Sequence, residues 1–277
     1  MIELPESMVI SGQMTEALRG KTIAHCVRGN APHKFAFYTH EPEAYESTLR
    51  GQKLDETVEW GVHMLTYVGS EHLLCLGGGG ERILYHTSES TLPKKHQFLL
   101  EFTDRTFLTI TIQMWGSLQL WTWADFPTHP YAGKRGVSPL SEEFTLEFFE
   151  ERFDSIPDDD PRAIKFFLIS KPGVWGLGNG CLQDILWRAR IHPKRRAVDL
   201  DAVERHALYC AIREMIGEAA ALGGRDSELD LYGCAGKYQR TLSADTAGTP
   251  CPACGTVIQK IQFLGGASYF CPRCQEI

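Results

Sequence analysis

Apolar residues near the start of the chain recur at the spacing of one helical face. The stripe consists of Leu4, Met8, Val9, Met14 and Leu18. Residues three and four positions apart lie on the same side of an α-helix, and a glycine often follows the last turn. The pattern therefore predicts an amphipathic helix over Glu3–Leu18 that ends before Gly20.

From about residue 21 to residue 126 the chain changes to short β-prone runs separated by Gly, Asn and Asp turns. The clearest runs are His63–Val68, Phe98–Phe102, Phe107–Ile112 and Leu118–Trp123. Many short strands at this spacing are typical of a β-sandwich or barrel. We therefore predict an all-β region directly after the first helix.

Helical periodicity dominates the next part of the chain. Three prolines and two glycines between Pro127 and Ser141 predict an interdomain linker. Helices are then predicted around Phe144–Phe149 and over Ala163–Ile169, Leu182–Arg190 and Asp201–Ala220. The segment Gly173–Gly180 holds four glycines in eight residues. Because glycine adopts positive φ without strain, this segment predicts a tight double turn between two helices.

Four of the nine cysteines form two closely spaced pairs at the end of the chain. The pairs are Cys251 with Cys254 and Cys271 with Cys274, and 16 residues separate them. Two thiolates from each tight turn complete a tetrahedral site for one zinc ion, and no position is left for a substrate. Thr256–Ile258 and Ser268–Phe270 flank a Gly-Gly pair and predict a β-hairpin between the zinc ligands.

Charge is distributed unevenly along the chain. The net charge is −7, from 28 basic and 35 acidic residues, which on its own argues against a nucleic-acid-binding protein. Nine of the acidic residues lie between Glu142 and Asp160, however, whereas the stretch Ile185–Val198 holds five basic residues and no acid. This local basic run keeps nucleic-acid binding open.

The ends of the chain and its overall hydropathy suggest a cytoplasmic protein. Charged residues make up 23% of the chain, and no window approaches 18 uninterrupted apolar residues, so no membrane span is expected. The first residues, MIELPESMVI, lack the basic start of a secretory signal. We expect a protein of the cytoplasm, associated with the nucleoid if it binds DNA.

Three blocks of residues, in this order, resemble the formamidopyrimidine-DNA glycosylase and endonuclease VIII family of base-excision repair enzymes. They are Glu3-Leu4-Pro5-Glu6, then Gly176–Asn179 with Asp184–Pro193, and finally Cys251–Thr256 with Phe270–Gln275. Pro139-Leu140-Ser141 also fits the family's linker. Together these blocks cover about a fifth of the chain, and the second and third are highly specific as a pair.

The resemblance implies an α+β multidomain protein with four parts. An N-terminal helix and a β-sandwich of the catalytic type would occupy residues 1–126, and a linker residues 127–141. A helical helix–two-turn–helix domain that binds DNA would occupy residues 142–225. A four-cysteine zinc-finger β-hairpin with one structural zinc ion would occupy residues 226–277. The expected partner is double-stranded DNA, preferably damaged or distorted, and the expected state is a monomer.

The family's chemistry assigns roles to the first residues of the chain. Members attack C1′ of the damaged nucleotide with an N-terminal amine, normally that of proline, and the next residue is a carboxylate that acts on the sugar. Glu3 matches this carboxylate, and Glu6 lies three residues further on the same helical face. Both could instead only compensate the charge of the helix N-terminus. Ile2 stands in place of the proline, so Met1 is expected to remain and to carry the amine.

The family's DNA contacts carry over to the helical segment and the hairpin. Backbone N–H groups around Gly178 and the amide of Asn179 would contact a phosphate next to a helix N-terminus, although an Asn also suits a turn. Arg188 and Arg190 would extend that contact, or would form a solvated basic face. On the zinc hairpin Gly266 replaces the expected arginine, and Lys260 is the nearest cation.

Other family positions are replaced in the N-terminal region. Val62 stands where a catalytic lysine is usual, and Gly78 where a methionine wedges into the DNA. Trp115 falls in the loop that fills the void left by an extruded base. It could wedge into a base stack or lie in the core.

Three functional hypotheses follow from this mixture. The first is a damaged-DNA glycosylase of base-excision repair that is monofunctional, with little or no strand cleavage by β-elimination. The second is a catalytically silent protein that recognises damaged or distorted DNA. The third is a zinc ribbon that mediates protein contacts. The retained Glu3 and Glu6 favour the first, whereas the missing proline, lysine and methionine favour the second.

Overall fold

A computed structural model describes all 277 residues, which divide into two compact units. The first unit combines Met1–Arg135 with Leu222–Lys237, and the second combines Gly136–Ala221 with Tyr238–Ile277. None of the helices is both long enough and apolar enough to cross a bilayer.

The first unit consists of two helices and two β-sheets. Its elements are α1 (Leu4–Leu18), β1 (Ile23–Val27), β2 (Ala36–Phe37), α2 (Pro42–Leu49), β3 (Leu54–Trp60), β4 (His63–Val68), β5 (His72–Gly77), β6 (Glu81–His86), β7 (Phe98–Phe102), β8 (Phe107–Ile112) and β9 (Gly116–Thr122). One sheet has the strand order β1-β7-β8-β6 and the other β2-β9-β5-β4-β3. Neighbouring strands are antiparallel except for the parallel pair β2–β9. The predicted helix and β-sandwich are thus confirmed.

Alternating apolar residues of the two sheets and of α1 form the main core of this unit. Met14 and Leu18 of α1 pack in one cluster with residues from both sheets, including Leu76 and Leu100. Ile2 belongs to the same cluster and is 2% exposed. The start of the chain is therefore anchored in the core, which sets the position of the residues that follow it.

The predicted linker is partly folded into the first unit. Phe126 and Ala132 are buried with Leu65 and Leu73 in a second apolar cluster. The indole Nε1 of Trp60 donates to the Ala132 carbonyl oxygen over 2.6 Å. Proline and glycine content alone could not reveal these aromatic contacts. The boundary between the units falls at Arg135–Gly136, inside the predicted linker.

The segment Leu222–Lys237 also belongs to the first unit. The sequence predicts a domain boundary at residue 225, within this segment, whereas the structure groups both of its parts with the first unit. Leu231 is buried in the sandwich core, and its carbonyl oxygen accepts a hydrogen bond from the Tyr85 amide at 2.9 Å. Such long-range pairing leaves no periodic pattern in the local sequence.

The second unit contains four helices and one hairpin. Its elements are α3 (Leu146–Asp154), α4 (Ile164–Ile169), α5 (Asn179–Arg188), α6 (Ala202–Ala221), β10 (Gln259–Phe263) and β11 (Gly266–Phe270). Gly173 and Gly176, in the predicted double turn, have φ of +74° and +72°. A Cβ at Gly173 would lie 2.7 Å from the Ser170 carbonyl oxygen, so this turn requires glycine.

The hairpin is confirmed, but its first strand begins later than predicted. Thr256–Ile258 instead pairs with the turn that carries the first two cysteines, because the Cys251 amide donates to Thr256 and the Ile258 amide to Thr249. The connection between β10 and β11 is the two-residue turn Leu264-Gly265, with φ of +51° and +75°. This turn type matches the twist of the paired strands.

Candidate carboxylate site and nucleic-acid interface

Glu3 and Glu6 meet at the N-terminus of α1. Glu3 caps the helix, and its backbone amide donates to Glu6 Oε2 at 3.0 Å in a reciprocal capping box. Pro5 at the start of the helix favours this geometry, since its missing N–H needs no partner there. The structure thus brings the two predicted carboxylates together, and the cap also serves the helix.

Arg225 joins both carboxylates in the interior of the first unit. Its Nη1 donates to Glu3 Oε1 at 3.1 Å, whereas its Nε and Nη2 donate to the two oxygens of Glu6 at 3.0 and 2.7 Å. Its backbone amide also donates to Glu6, at 2.9 Å. The side chains of Glu3, Glu6 and Arg225 are only 1%, 3% and 3% exposed. We call these three residues the carboxylate–arginine cluster.

Arg225 determines the ionisation of Glu6. Burial opposes ionisation of Glu6, but the charge and hydrogen bonds of Arg225 outweigh it and lower the pKa of Glu6 below its usual value. One guanidinium thus faces two carboxylates. A carboxylate in a buried site can stabilise a cation that forms beside it.

The amine of Met1 already has an ionic partner. It lies 2.6 Å from Glu228 Oε1, and the Met1 carbonyl oxygen accepts a hydrogen bond from Arg225 Nη2 at 2.7 Å. The Ile2 amide donates to the Gly79 carbonyl oxygen at 3.0 Å. The predicted catalytic residues Met1, Glu3 and Glu6 therefore lie together.

Several residues of this site were missed from the sequence. Arg225 and Glu228 come from the segment Leu222–Lys237, more than 200 positions from the residues they contact. The only sequence feature that indicates this site is the pair Gly223-Gly224 before Arg225, because paired glycines let the backbone approach another segment closely. Indeed, a Cβ at Gly224 would lie 3.3 Å from the Glu6 side chain.

The replaced family positions lie close to the N-terminus. Gly78 and Gly79 belong to a glycine run between β5 and β6, and the Gly78 amide donates to the Val62 carbonyl oxygen at 2.9 Å. Trp115 is 39% exposed, so it is not a core residue. Glu81 is a further missed residue. Its carboxylate accepts hydrogen bonds from the amides of Gly79 and Ser117, both at 2.8 Å, and burial raises its pKa to about 7.

In the second unit, Gly178 caps α5 and Asn179 is the first residue of that helix. Asn179 Nδ2 donates to the Ala267 carbonyl oxygen of β11 at 3.1 Å. Gln183, one turn later, donates to the Asn179 carbonyl oxygen at 2.8 Å. The helix N-terminus thus lies directly beside the zinc hairpin, where helix dipole and backbone N–H groups favour an anion.

The basic run separates into paired and unpaired cations. Arg188 lies 2.5 Å from Glu218 and also donates to Tyr238, and Arg195 holds both oxygens of Glu204. Arg190 is exposed and has no acidic partner. It lies in the left-handed region, with φ of +59°, just after α5. Of the two predicted arginines, Arg190 therefore offers the free charge.

Two lysines of the hairpin region differ in their surroundings. Lys260 is exposed on β10, and its Nζ lies 6.0 Å from the centre of the Tyr269 ring. Lys165 was missed from the sequence. It is fully buried, and its Nζ donates to the Phe263 carbonyl oxygen at 2.8 Å and to Ser268 Oγ at 3.0 Å, so it ties α4 to the hairpin.

The four predicted zinc ligands form one cluster. The sulfur atoms of Cys251, Cys254, Cys271 and Cys274 all lie within 4.8 Å of one another. Zn–S bonds of ~2.3 Å in a tetrahedron place sulfur atoms ~3.8 Å apart, and the pairs Cys251–Cys274 and Cys254–Cys271 measure 3.9 and 3.4 Å. The indole of Trp187 donates to Cys251 Sγ at 3.4 Å. The cluster is a structural zinc site, and the prediction is confirmed.

Comparisons with known proteins agree with this arrangement. Residues 136–230 match the model of the formamidopyrimidine-DNA glycosylase H2TH domain, and residues 248–277 match the zinc finger found in FPG and IleRS. Formamidopyrimidine-DNA glycosylase of Lactobacillus helveticus is 31% identical over 283 residues, covering 100% of this chain and 99% of the relative. That of Halalkalibacterium halodurans is 31% identical over 284 residues and covers 100% of both.

Solved structures show the same fold. The Fpg of Lactococcus lactis, in complex with DNA that contains an abasic site, superposes with a TM-score of 0.86 at 24% identity. The match covers 99% of this chain and 100% of that one. A complex of the same protein with Fapy-dG-containing DNA also gives a TM-score of 0.86. Full-length relatives above 30% identity, both domain models and the shared fold agree, and the chain belongs to the formamidopyrimidine-DNA glycosylase family.

Proposed function

We propose that this protein is a damaged-DNA glycosylase of base-excision repair, and that it is monofunctional. It would hydrolyse the bond between a damaged base and its sugar and would leave the DNA strand largely uncut. The observation that carries the proposal is the carboxylate–arginine cluster beside a Met1 amine that is already paired. Family membership supports the glycosylase activity, and the cluster supports its hydrolytic form.

Glu3 would act on the sugar of the damaged nucleotide. Cleavage of the C1′–N bond leaves its electron pair on the departing base, which gains a proton, and positive charge develops on the sugar. Glu3 would take a proton from a water molecule whose oxygen forms the new bond to C1′. Arg225 holds Glu6 with two side-chain hydrogen bonds and Glu3 with one at 3.1 Å. A carboxylate beside the sugar would favour its cationic form.

Strand cleavage would need a different group. An imine with C1′ forms only from an amine that has a free electron pair. The Met1 amine lies 2.6 Å from the Glu228 carboxylate, and this ion pair competes with attack of the amine on C1′. Val62 also offers no amine at the position where the family usually has a lysine. Hydrolysis by water is therefore the reaction that these residues support.

Double-stranded DNA that is damaged or distorted is the proposed substrate, bound by a monomer in the nucleoid. The N-terminus of α5, with Gly178 and Asn179, would receive a phosphate, and the exposed Arg190 would add a second contact. The complexes of the Lactococcus lactis Fpg with abasic-site and Fapy-dG DNA support this class of substrate.

The test uses end-labelled duplexes that carry an abasic site, an oxidised purine or an oxidised pyrimidine, resolved before and after hot alkali. Breaks at a base lesion only after alkali are the expected result. Efficient breaks without alkali would contradict the monofunctional mechanism. Intact strands throughout, together with retained binding, would contradict the glycosylase and favour a catalytically silent DNA-binding protein.

A further inference from the structure

An aromatic pocket lies in the first unit, outside the carboxylate–arginine cluster. Its volume is 670 Å³. Rings of Phe37, Tyr38, Trp115, Trp121 and Tyr131 contribute to its lining, together with the imidazoles of His63 and His129. Phe37, Trp115 and Tyr131 are 47%, 39% and 85% exposed. The pocket is therefore open to solvent along a rim of accessible aromatic rings.

The pocket includes two positions at which the sequence resemblance predicts DNA-facing side chains in the family. Val62 and Gly78, which replace the lysine and the wedge methionine, both line it. Gly78 has φ of +91°, and a Cβ there would lie 2.6 Å from Nε2 of His63. A side chain at this position would thus collide with the present orientation of His63, so glycine leaves room for the imidazole in the lining.

The pocket adjoins the start of the chain through the glycine run. Gly78 lines the pocket, and the next residue, Gly79, accepts the hydrogen bond from the Ile2 amide at 3.0 Å. The Gly80 amide donates to the Trp115 carbonyl oxygen at 2.8 Å. Ile2 precedes Glu3, so the pocket lies near the residue that is proposed to act on the sugar.

One buried hydrogen-bond donor in the lining, Nε2 of His129, has no acceptor. Nδ1 of His129 accepts from the amides of Tyr131 and Ala132 at 3.1 and 2.9 Å, which places the ring proton of the neutral imidazole on Nε2. That Nε2 is buried and without a partner. Gln119 Oε1 accepts from Trp121 Nε1 at 3.0 Å, so its amide nitrogen remains as a second donor in the lining.

These features suit a planar heterocycle that carries carbonyl oxygens. Exposed aromatic rings bind unstacked bases because every base has a π face. The buried Nε2 of His129 favours a ligand that brings an acceptor, since an unsatisfied buried polar group is unfavourable. Burial and the neighbouring His129 also lower the pKa of His63 to about 4, so no positive charge is placed in the lining at neutral pH.

We propose that this pocket binds one unstacked nucleobase of the bound DNA, by stacking on its aromatic rim and by hydrogen bonds from His129 and Gln119 to the base. The proposal rests on the proposed function, which supplies a DNA duplex with a disrupted base pair. Such a duplex offers two sources of an unstacked base, the extruded nucleotide and the nucleotide left opposite it.

Photo-crosslinking of 5-iodouracil, which couples to stacked aromatic side chains, distinguishes the two sources. One duplex carries iodouracil opposite a tetrahydrofuran abasic analogue, and the second carries a single unpaired iodouracil with no nucleotide opposite it. Peptide mapping should place the crosslink on peptides that contain Phe37, Trp115 or Tyr131. Crosslinks from the first duplex identify the opposite base, those from the second identify the extruded base, and those from both show that either base can enter.

Two exposed rings provide variants that leave the fold intact. Phe37→Ala and Tyr131→Ala should each lower the crosslink yield by about tenfold, since each removes a stacking surface. Trp123→Ala is the matched control, because Trp123 is 40% exposed in the same unit but stacks on Tyr67 outside the pocket. Its yield should equal that of the unmodified protein.

Absence of crosslinks to these peptides from either duplex, at DNA concentrations that saturate binding, would overturn the proposal. Equal yields in both variants and the control would also overturn it. Crosslinking does not require bond cleavage, so a protein that crosslinks but produces no alkali-sensitive breaks would retain the pocket and lose the glycosylase. A protein that hydrolyses lesions but gives none of these crosslinks would retain the glycosylase and lose the proposed base-binding pocket.

Discussion

The two compact units preserve different parts of the family pattern. In the second unit the double turn, the N-terminus of α5 and the four zinc ligands all occur where the family models match. In the first unit the helix and sandwich persist, but the sequence resemblance places Ile2, Val62 and Gly78 where the family is expected to have reactive or DNA-facing residues. A fold can therefore be retained while its reactive side chains change, and the activity depends on the residues of the site rather than on the fold.

The largest effect is expected from removal of a zinc ligand. Cys271→Ser should release the metal, unfold the hairpin and abolish DNA binding, because binding of structural zinc contributes on the order of 10 kcal/mol to folding. Metal content, circular dichroism and DNA affinity measure the change. Cys234→Ser, which alters an exposed cysteine of the first unit, is the control. Full DNA affinity in a zinc-free variant would show that the second unit does not depend on its metal.

In the first unit, Glu3→Gln tests whether the retained carboxylate is catalytic. Loss of a general base should slow base release by about 10²- to 10⁴-fold while DNA affinity is maintained. Single-turnover rates and equilibrium binding separate these effects. Glu43→Gln, an exposed acid in the first turn of α2, should change neither quantity. An unchanged rate in Glu3→Gln would assign the carboxylate to helix capping alone.

Arg225→Met tests the pairing that distinguishes this first unit. It leaves two buried carboxylates without their cation and should lower the free energy of unfolding by about 3–5 kcal/mol. Urea unfolding measures the change. Arg19→Met removes a guanidinium that pairs with Asp55 on the surface and should have little effect. Adding Glu6→Gln to Arg225→Met should restore part of the lost stability, and no recovery would argue against charge as the cause.

Glu81 should make the stability of the first unit depend on pH in a distinctive direction. Its pKa rises from an ordinary value of 4.5 to about 7 in the folded protein. Protonated Glu81 therefore stabilises the folded protein. This contribution to the free energy of unfolding, about 3 kcal/mol, is complete below pH 4.5 and is lost as the pH rises through 7.

Comparison with Glu81→Gln isolates this contribution. The pKa of His63 falls from 6.5 to about 4 on burial, which produces the opposite trend between pH 4 and 6.5 in both proteins. The difference in unfolding free energy between the two proteins should therefore change mainly between pH 4.5 and 7. A constant difference across this range would contradict the raised pKa.

The smallest effect concerns the unpaired cation of the second unit. Arg190→Ala should reduce the slope of log affinity against log salt by about 1, as expected when one phosphate contact is lost. Arg195→Ala, whose guanidinium is held by Glu204, should leave the slope unchanged. Equal slopes for both variants would mean that pairing within the protein does not select the DNA contacts.

Much of the fold could be predicted from local patterns. Short β-prone runs between turn residues located His63–Val68, Phe98–Phe102 and Phe107–Ile112 with their observed bounds, because apolar and β-branched residues favour strands and Gly, Asn and Asp end them. The position of Leu222–Lys237 could not be predicted, since Leu231 reaches the sandwich core by long-range packing. Cysteine spacing located the zinc site because both chelating turns are local.

Some residues of the site could likewise be predicted from local spacing, and others could not. The chain order alone placed Glu3 and Glu6 on one helical face and the four cysteines around one ion, because three-residue spacings determine those geometries. Only the tertiary structure brought Arg225 to the two carboxylates, Glu228 to the Met1 amine and His129 to the aromatic pocket. These groups meet through folding of distant segments, and buried charges and donors depend on such neighbours for their ionisation and partners.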